Sequence, residues 1–265
     1  MLNTLVIVLG STASGKSTFI EKKYGGKEGL EHLCWDSIAE GIKNSSARTS
    51  TKGIHQSGSK VDQTIREYQA DFYYPQTSAE FFKRLAAAFT ETSTVVVDCP
   101  SFPSSDLMPK VIKKGYAAGY GLVVEGLWVT PETGTKRRLL DLFRYCAVDN
   151  EKGAEQLINF YRNNHWRDFL SSCQEMPSQF MQIASRADEA RLYDNNGESR
   201  TRLMATWHNG RPQAQFNSAA MTAFKNLGKI EPRFADFSAS CGFSRNDQGK
   251  IMHTVNLETT GLGSA

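Results

Sequence analysis

The stretch Thr4-Leu-Val-Ile-Val-Leu-Gly-Ser-Thr-Ala-Ser-Gly-Lys-Ser17 decides the fold. Its first part, residues 4–9, is a continuous apolar run rich in β-branched side chains, which predicts a strand buried on both faces of a parallel sheet. The segment from Gly10 to Ser17 then matches the pattern G-x-x-x-x-G-K-[ST] at every fixed position. Helical periodicity follows from Lys16 to about Lys23. A buried strand, a glycine-rich loop and a helix in this order predict a phosphate-binding loop.

The residue types of this loop suit a nucleoside triphosphate. Glycines at its two ends let the backbone wrap, so that N–H groups and the helix N-terminus point at a phosphate. Lys16 is placed to neutralise the β- and γ-phosphate oxygens, and the Ser17 hydroxyl is placed to ligate Mg²⁺. We therefore predict that ATP or GTP binds with Mg²⁺. The predicted nucleotide-binding residues are Gly10, Ser11, Thr12, Ala13, Ser14, Gly15, Lys16, Ser17 and Thr18.

Further strands follow along the chain. The short apolar segment His32–Trp35 precedes a helical pattern over Ser37–Ile42, and interior strands are predicted at Thr94–Asp98 and Tyr120–Val129. Strands that alternate with helices form βαβ units. The predicted fold class is α/β, a P-loop NTPase fold with a mostly parallel sheet, helices on both faces and a helical lid.

Composition excludes several other classes of protein. The chain has 265 residues, of which 40% are apolar and 22% charged, enough to bury a sizeable core. Intrinsic disorder and disulfide scaffolds are therefore excluded. The net charge of +3 is too small to indicate nucleic acid by itself. No apolar run is long enough to cross a bilayer and the first residues have no export signature. The five widely spaced cysteines are expected to be reduced thiols in the cytoplasm.

Several other segments have predictable structure. A loop is expected over Lys43–Asp62, where Ser, Thr, Lys and Gly predominate; it either faces the substrate or is only a solvated loop. A last strand is expected at Thr201–Trp207, followed by a turn at His208-Asn-Gly210. Helices are expected over Val61–Ala70, Ser78–Phe89, Leu107–Lys114 (ended by Gly115), Glu132–Cys146 and Ala154–Phe180, with a strand at Glu189–Tyr193.

We expect a single P-loop domain over residues 1–265. Within it, residues 43–90 form an insertion and substrate-facing region, and residues 131–170 form the lid region. Residues 232–265 are rich in Ser, Gly and Asn and stay unassigned.

Acidic residues at strand ends are candidates for catalysis, because ligands of open parallel sheets bind beyond the carboxyl ends of the strands. Asp36 is a candidate general base for a hydroxyl acceptor, and its alternative role is an ordinary helix N-cap. Asp98 is a candidate Mg²⁺ ligand, and its alternative role is a turn residue before Pro100. Glu125 or Thr130, and Asp194, also follow strands.

A basic series follows the fourth predicted strand and supplies candidates for a lid. A guanidinium that closes onto the migrating phosphate stabilises developing charge. The alternative for each arginine is a solvated helix face. The series comprises Arg137, Arg138, Arg144, Arg162 and Arg167.

An ordered series of short motifs resembles the zeta-toxin-like kinases, which are related to 5′-hydroxyl polynucleotide kinases. The resemblance spans roughly residues 4 to 197. It rests on Gly10–Ser17, Asp36-Ser-Ile, Val95-Val-Val-Asp98, Lys114-Gly-Tyr116, Val129-Thr-Pro-Glu132, Arg144-Tyr145, Asn164-His-Trp-Arg-Asp-Phe169 and Leu192-Tyr-Asp-Asn195.

This resemblance implies transfer of phosphate from ATP or GTP to a hydroxyl. It implies that Asp36 is the general base and that Arg144 and Arg162 are lid arginines, so the predicted catalytic residues are Lys16, Asp36, Arg144 and Arg162, and the metal ligands are Ser17 and Asp98. Asp98-Cys-Pro-Ser-Phe replaces the Glu-Gly-Thr that zeta toxins commonly have, which alters the pocket for a nucleotide sugar.

The sequence leaves several classes of phosphate acceptor open. A nucleotide-type small molecule is preferred: a nucleotide sugar, a nucleotide or a dinucleotide. The aromatic cluster Tyr68, Phe72, Tyr73 and Tyr74 either stacks on a base or belongs to the core. The alternatives are a polynucleotide kinase acting on a DNA or RNA hydroxyl (5′-OH or hydroxymethylated base) and a P-loop NTPase switch without an acceptor. No membrane partner is expected.

Overall fold

The apolar run over residues 4–9 forms the middle one of the five parallel strands in a seven-stranded sheet. This is seen in a computed structural model of the chain, which describes residues 3–11, 13–50, 74–98, 107–146, 148, 151–197, 201–227, 237–245 and 251–259. Strand β1, Thr4–Leu9, pairs in parallel with β3 on one side and with β4 on the other. The seven strands are β1, β2 (Leu30–Cys34), β3 (Thr94–Asp98), β4 (Gly121–Trp128), β5 (Glu189–Asp194), β6 (Arg202–His208) and β7 (Arg211–Gln215).

The strands lie in the order β2-β3-β1-β4-β5-β6-β7. The first five are parallel, and β6 and β7 add antiparallel strands at one edge. Eight helices occur in the described residues: α1 (Lys16–Tyr24), α2 (Trp35–Ser50), α3 (Tyr74–Glu91), α4 (Leu107–Ala117), α5 (Pro131–Tyr145), α6 (Glu151–Asn164), α7 (Trp166–Ala184) and α8 (Ser218–Asn226). The mostly parallel α/β sheet that the sequence predicts is confirmed.

Both faces of the sheet are buried, because alternate residues of β1 enter different apolar clusters. Leu5, Ile7 and Leu9 join the larger cluster on one face. Val6 and Val8 pack on the other face with residues of α1, including Ile20. Burial on both faces explains why β1 is a continuous apolar run without polar alternation.

The chain divides into two compact units. The described parts of the sheet unit are drawn from Met1–Lys52, Phe72–Val129 and Ser171–Ile230. The described parts of the helical unit are drawn from Thr130–Leu170 and Glu231–Ala265. The helical unit contains α5 and α6 together with an antiparallel hairpin of β8 (Phe237–Arg245) and β9 (Ile251–Thr259). The hairpin contacts both helices, and the helices share an apolar cluster that includes Leu139, Phe143 and Leu157.

Several sequence-based boundaries are wrong. Residues 43–50, predicted as part of a loop, continue α2, which packs against α3. Packing of this kind outweighs the weak helix propensity of Ser and Thr. Gly115 does not end α4; it lies inside the helix, where a Cβ would come 2.5 Å from Leu5 Cδ2. A glycine is needed there because α4 approaches β1 closely.

Two further corrections concern the C-terminal half. The helix predicted over Ala154–Phe180 is two helices, α6 and α7, and the Asn164 side chain donates to the Phe160 carbonyl (2.8 Å) where α6 ends. The strand predicted as the last one is followed by β7, through a tight turn with Asn209 and Gly210 at positive φ. The predicted helix over Val61–Ala70 and the aromatic residues 68, 72 and 73 lie outside the described residues.

Candidate nucleotide-binding site

The glycine-rich loop joins the end of β1 to the start of α1. Ala13 and Gly15 have positive φ angles of 60° and 87°, so the chain turns sharply before the helix begins. The Ser14 amide donates to the Ser11 carbonyl (3.1 Å), which closes the turn. A Cβ at Gly10 would come 2.8 Å from the Leu127 carbonyl oxygen of β4. The loop is therefore wrapped tightly against the sheet at the positions where the motif has glycine.

Lys16 extends back along the loop from the first turn of α1. Its ammonium donates to the carbonyl oxygens of Gly10 (3.0 Å) and Ser11 (3.4 Å). These bonds hold the charge over the loop. The N-terminus of α1 has no side-chain cap and no acidic residue in its first turn. Positive potential from the helix and from Lys16 therefore converges on one place, as an anion site requires.

Ser17 and Asp98 are brought together from different parts of the sequence. The Ser17 hydroxyl donates to Asp98 Oδ2 at 3.1 Å. Asp98 ends β3, which is the direct neighbour of β1, and the residue is 5% exposed. Because the carboxyl ends of parallel strands meet at one edge of the sheet, a residue that follows β1 and a residue that ends β3 become neighbours.

Asp36 lies at the same edge of the sheet. It occupies the first turn of α2 and is exposed to solvent. Cys34, two residues earlier, is the register partner of Asp98. Since α2 begins at Trp35, Asp36 lies inside the helix and is not its N-cap. Asp36 therefore follows the carboxyl end of β2, the same end of the parallel sheet at which the nucleotide loop follows β1.

The two predicted lid arginines belong to the helical unit. Arg144 is exposed on the last turn of α5, and its guanidinium lies 3.6 Å from the Asp141 carboxylate. Arg162 lies on the last turn of α6, and its Nε donates to the Asn163 side chain at 3.4 Å. Their role as lid arginines stays a prediction. Of the predicted binding residues, Thr12 lies outside the described residues.

Asn195 is a loop contact that the sequence analysis missed. It follows β5, and its side-chain Nδ2 donates to the Ser14 carbonyl at 2.7 Å. Its backbone N–H donates to the Trp128 carbonyl (2.9 Å) at the end of β4. The Thr201 hydroxyl donates to Asn195 Oδ1 at 3.0 Å. The signal in the sequence was the Asp194-Asn-Asn-Gly197 turn, which indicates a loop but does not tell what the loop touches.

Glu125 does not face the nucleotide loop. It lies within β4 and is fully buried. Its Oε1 accepts from Lys23 (2.7 Å) and Tyr24 (2.8 Å) of α1 and from Arg191 (3.0 Å) of β5. Lys23 also donates to the Tyr193 hydroxyl at 3.0 Å. We call these five residues the Glu125 cluster. Burial raises the pKa of Tyr24, and the nearby Glu125 charge and hydrogen bond raise it further.

Cys173 lies against the nucleotide loop from α7. Burial raises the pKa of its thiol to about 11, and a hydrogen bond with Ser11 opposes that shift. A thiol with so high a pKa is inert at neutral pH. Cys34, Cys146 and Cys173 form no disulfide bond. Cys99, which was expected to be free too, lies outside the described residues.

Two further properties concern the residues that the structure describes. No group of three or more His, Cys, Asp or Glu side chains in these ranges is arranged to hold a metal. No helix in the described part of the chain is long and apolar enough to span a membrane. The fold and the loop together define a P-loop protein of the α/β class.

No protein-family model matches the chain, and no curated protein matches it in sequence. Solved structures do match. A chain from the crystal structure of the AvrRxo1-ORF1:AvrRxo1-ORF2 complex with sulphate ions has a TM-score of 0.52 at 14% identity, over 89% of this chain and 66% of that chain. This chain therefore spans a little under two thirds of that one.

A chain from the PezAT chromosomal toxin–antitoxin system of Streptococcus pneumoniae matches with a TM-score of 0.50 at 10% identity, over 87% of this chain and 80% of that chain. At such low identities, the likeness shows the fold. At the level of the fold, it supports the resemblance to zeta-toxin-like kinases.

Proposed function

We propose that this protein is a Mg²⁺-dependent kinase that transfers the γ-phosphate of ATP or GTP to a hydroxyl of a nucleotide-type small molecule. The observation that carries the proposal is the pairing of Ser17 with Asp98 at 3.1 Å, directly after a loop whose lysine and helix N-terminus converge. A hydroxyl and a carboxylate beside a phosphate loop are the protein groups that P-loop enzymes use to hold Mg²⁺. The fold likeness to a chain of a toxin–antitoxin system supports the same class.

The donor set fits Mg²⁺. This ion takes oxygen ligands and keeps several waters, so it needs only one or two protein oxygens together with substrate phosphates. Ser17 and Asp98 supply these oxygens, and a larger acidic cluster is not required. When bound, the ion neutralises charge on the phosphate oxygens.

Lys16 and the loop backbone bind the triphosphate. The ammonium already lies over the loop through its bonds to Gly10 and Ser11, so it needs little rearrangement to contact phosphate oxygens. The N–H groups of the first turn of α1 add donors that are fixed by the fold. Donors of this kind stabilise charge without reorganisation during the reaction.

Asp36 is the proposed general base. An exposed carboxylate beyond β2 is open to an acceptor, and its helix position holds it at the edge of the sheet where the loop lies. In the proposed reaction, the acceptor oxygen bonds to the γ-phosphorus while the bond from that phosphorus to the β–γ bridging oxygen breaks and the nucleoside diphosphate leaves. Asp36 accepts the proton of the acceptor hydroxyl. Arg144 and Arg162 are proposed to close onto the migrating phosphate.

A transfer assay tests the proposal and separates it from its alternatives. The protein is incubated with ATP labelled at the γ-phosphate and a panel of nucleotides, nucleotide sugars, dinucleotides and oligonucleotides. Label on a small molecule is the expected result. Label only on oligonucleotides would favour a polynucleotide kinase, and label only in free phosphate would favour an NTPase switch.

Asp36→Asn tests the base within the same assay. We expect the variant to lose transfer by about 10²-fold or more while it still binds nucleotide, because only the proton acceptor is removed. Glu40→Gln is the matched control, since it changes another exposed carboxylate one turn further along α2. Normal transfer by Asp36→Asn would show that the base is assigned wrongly.

A further inference from the structure

The loop after β5 contacts the nucleotide loop at one peptide group. Asn195 Nδ2 donates to the Ser14 carbonyl at 2.7 Å, although the two residues are 181 positions apart. Ser14 immediately precedes Gly15, which is the N-cap residue of α1 and has a φ of 87°. Asn195 therefore acts on the peptide group that connects the loop to the helix.

The direction of this bond has a geometric consequence. In a trans peptide group, the C=O and the N–H point in opposite directions, and the described residues contain no cis peptide bond. When Asn195 holds the Ser14 carbonyl on its own side, the Gly15 N–H must point the other way. A donor turned away from the β5 side of the loop is one that a phosphate in the loop can use.

The side chain of Asn195 is itself held in place. Thr201 donates its hydroxyl to Asn195 Oδ1 at 3.0 Å, which leaves Nδ2 for the Ser14 carbonyl. The backbone of Asn195 is tied to β4 through the Trp128 carbonyl. A side chain fixed at both its amide and its backbone is suited to hold a loop in one conformation.

The approach is close enough to restrict position 15. A Cβ on Gly15 would come 2.6 Å from Asn195 Nδ2. Position 15 therefore needs glycine for two reasons, its positive φ and the nearness of this amide. Gly15 of the motif and the side-chain amide of Asn195 are therefore packed directly against each other.

We infer that Asn195 is a positioning residue for triphosphate binding, and that it orients the Ser14–Gly15 peptide group so that the Gly15 N–H faces the phosphate. The inference rests on the proposed function, because it assumes that the loop binds a nucleotide. Asn195 acts through the loop and does not itself contact phosphate. Its loss should weaken nucleotide binding more than it lowers the rate of transfer at saturating nucleotide.

The test compares binding of ATP with Mg²⁺, by calorimetry, for wild type, Asn195→Ala and Thr201→Val. The hydrogen bond between the Gly15 N–H and a charged phosphate oxygen contributes to the free energy of binding. We therefore expect Asn195→Ala to bind ATP about 10- to 100-fold more weakly than wild type. Thr201→Val should show a smaller loss, because the amide of Asn195 is then less well oriented. In an amide NMR spectrum, the nucleotide-induced shift of Gly15 should be large in wild type and reduced in Asn195→Ala.

Asn217→Ala is the control for a loss of stability alone. Asn217 caps α8 by accepting from the Ala220 N–H at 2.9 Å, so its removal lowers the melting temperature without touching the loop. Equal binding by Asn195→Ala and wild type, even with a lower melting temperature, would overturn the inference. So would a Gly15 shift that is unchanged in the variant.

The outcomes also separate this inference from the proposed function. A wild-type protein that binds ATP but phosphorylates no acceptor would overturn the kinase proposal, and the binding comparison would still decide the role of Asn195. A wild-type protein that binds no triphosphate would overturn both.

Discussion

The two ends of helix α1 carry positive charge in different ways. At its N-terminus, the Lys16 ammonium donates to the backbone carbonyls of Gly10 and Ser11. These carbonyl oxygens carry only partial negative charges. At its C-terminus, Lys23 forms an ion pair of 2.7 Å with the fully buried Glu125. The first cation is matched by carbonyl dipoles, whereas the second is matched by a full negative charge of the chain itself.

This difference distinguishes a binding site from a structural one. A cation held by dipoles gains much from an anionic ligand, and the loop around it is shaped for one. The Glu125 cluster already contains its own counter-charge, with Arg191 as a second cation and two tyrosine hydroxyls. It ties the last turn of α1 to β4 and β5. Changes at the first end should affect activity, and changes at the second should affect stability.

The largest expected effect is that of Lys16→Ala. We expect phosphate transfer to be abolished and the melting temperature of the nucleotide-free protein to stay near that of wild type, since a side chain over a solvated loop leaves no cavity in the core. Transfer assays and thermal unfolding check the two parts. A large loss of thermal stability would contradict the distinction between the two ends of α1.

Arg144→Ala extends the comparison to the helical unit. If Arg144 closes onto the γ-phosphate in the transition state, its loss should lower the rate of transfer by about 10³-fold with little change in nucleotide affinity. Single-turnover transfer and calorimetry measure the two quantities, and Arg162→Ala should behave likewise. Near-normal turnover in both variants would exclude a role for Arg144 and Arg162 as lid arginines. The next candidates would then be Arg137, Arg138 and Arg167.

Glu125→Ala should show the opposite pattern to Lys16→Ala. Removing the carboxylate leaves Lys23 without its ion-pair partner and Arg191 with Glu189 alone. Breaking a buried pair costs about 3 kcal/mol of the free energy of unfolding. Urea unfolding measures this loss, and nucleotide affinity of the folded variant should be unchanged. Glu80→Ala is the matched control, because it breaks an exposed Glu–Arg pair at 2.9 Å and should change stability little.

The smallest expected effect is a dependence of the free energy of unfolding on pH that arises from Tyr24. Its raised pKa keeps the hydroxyl protonated in the folded protein, while the unfolded chain ionises near the ordinary value of about 10. The contribution of Tyr24 to stability is therefore complete below pH 10 and is lost as the pH rises towards the folded pKa.

Tyr24→Phe checks this sign. Wild type should lose stability between pH 9 and pH 11 more steeply than the variant, by up to about 1.4 kcal/mol per pH unit. The free energy of unfolding in urea at each pH is the measurement. Equal slopes would show that Tyr24 ionises alike in both states.

Local sequence patterns predicted those parts of the site whose structure depends on residues close together in the sequence. The apolar run of β1, the glycines of the loop and the start of α1 are all explained within residues 4–24, because burial, positive φ and helix geometry act over a few residues. The sequence did not predict the length of α2, because the last turns of this helix have the composition of a loop. The packing of α2 against α3 involves residues far apart in the sequence, so a short stretch of sequence does not reveal it.

What the sequence by itself determined is the class of protein: an α/β chain with a phosphate-binding loop after its first strand. Only the tertiary structure decided which distant side chains are in contact. Ser17 meets Asp98, Lys23 meets Glu125 and Ser14 meets Asn195 across 81, 102 and 181 positions. The physical reason is that each pair depends on the strand order β3-β1-β4-β5, which is set by how all the strands pack together and not by any one of them.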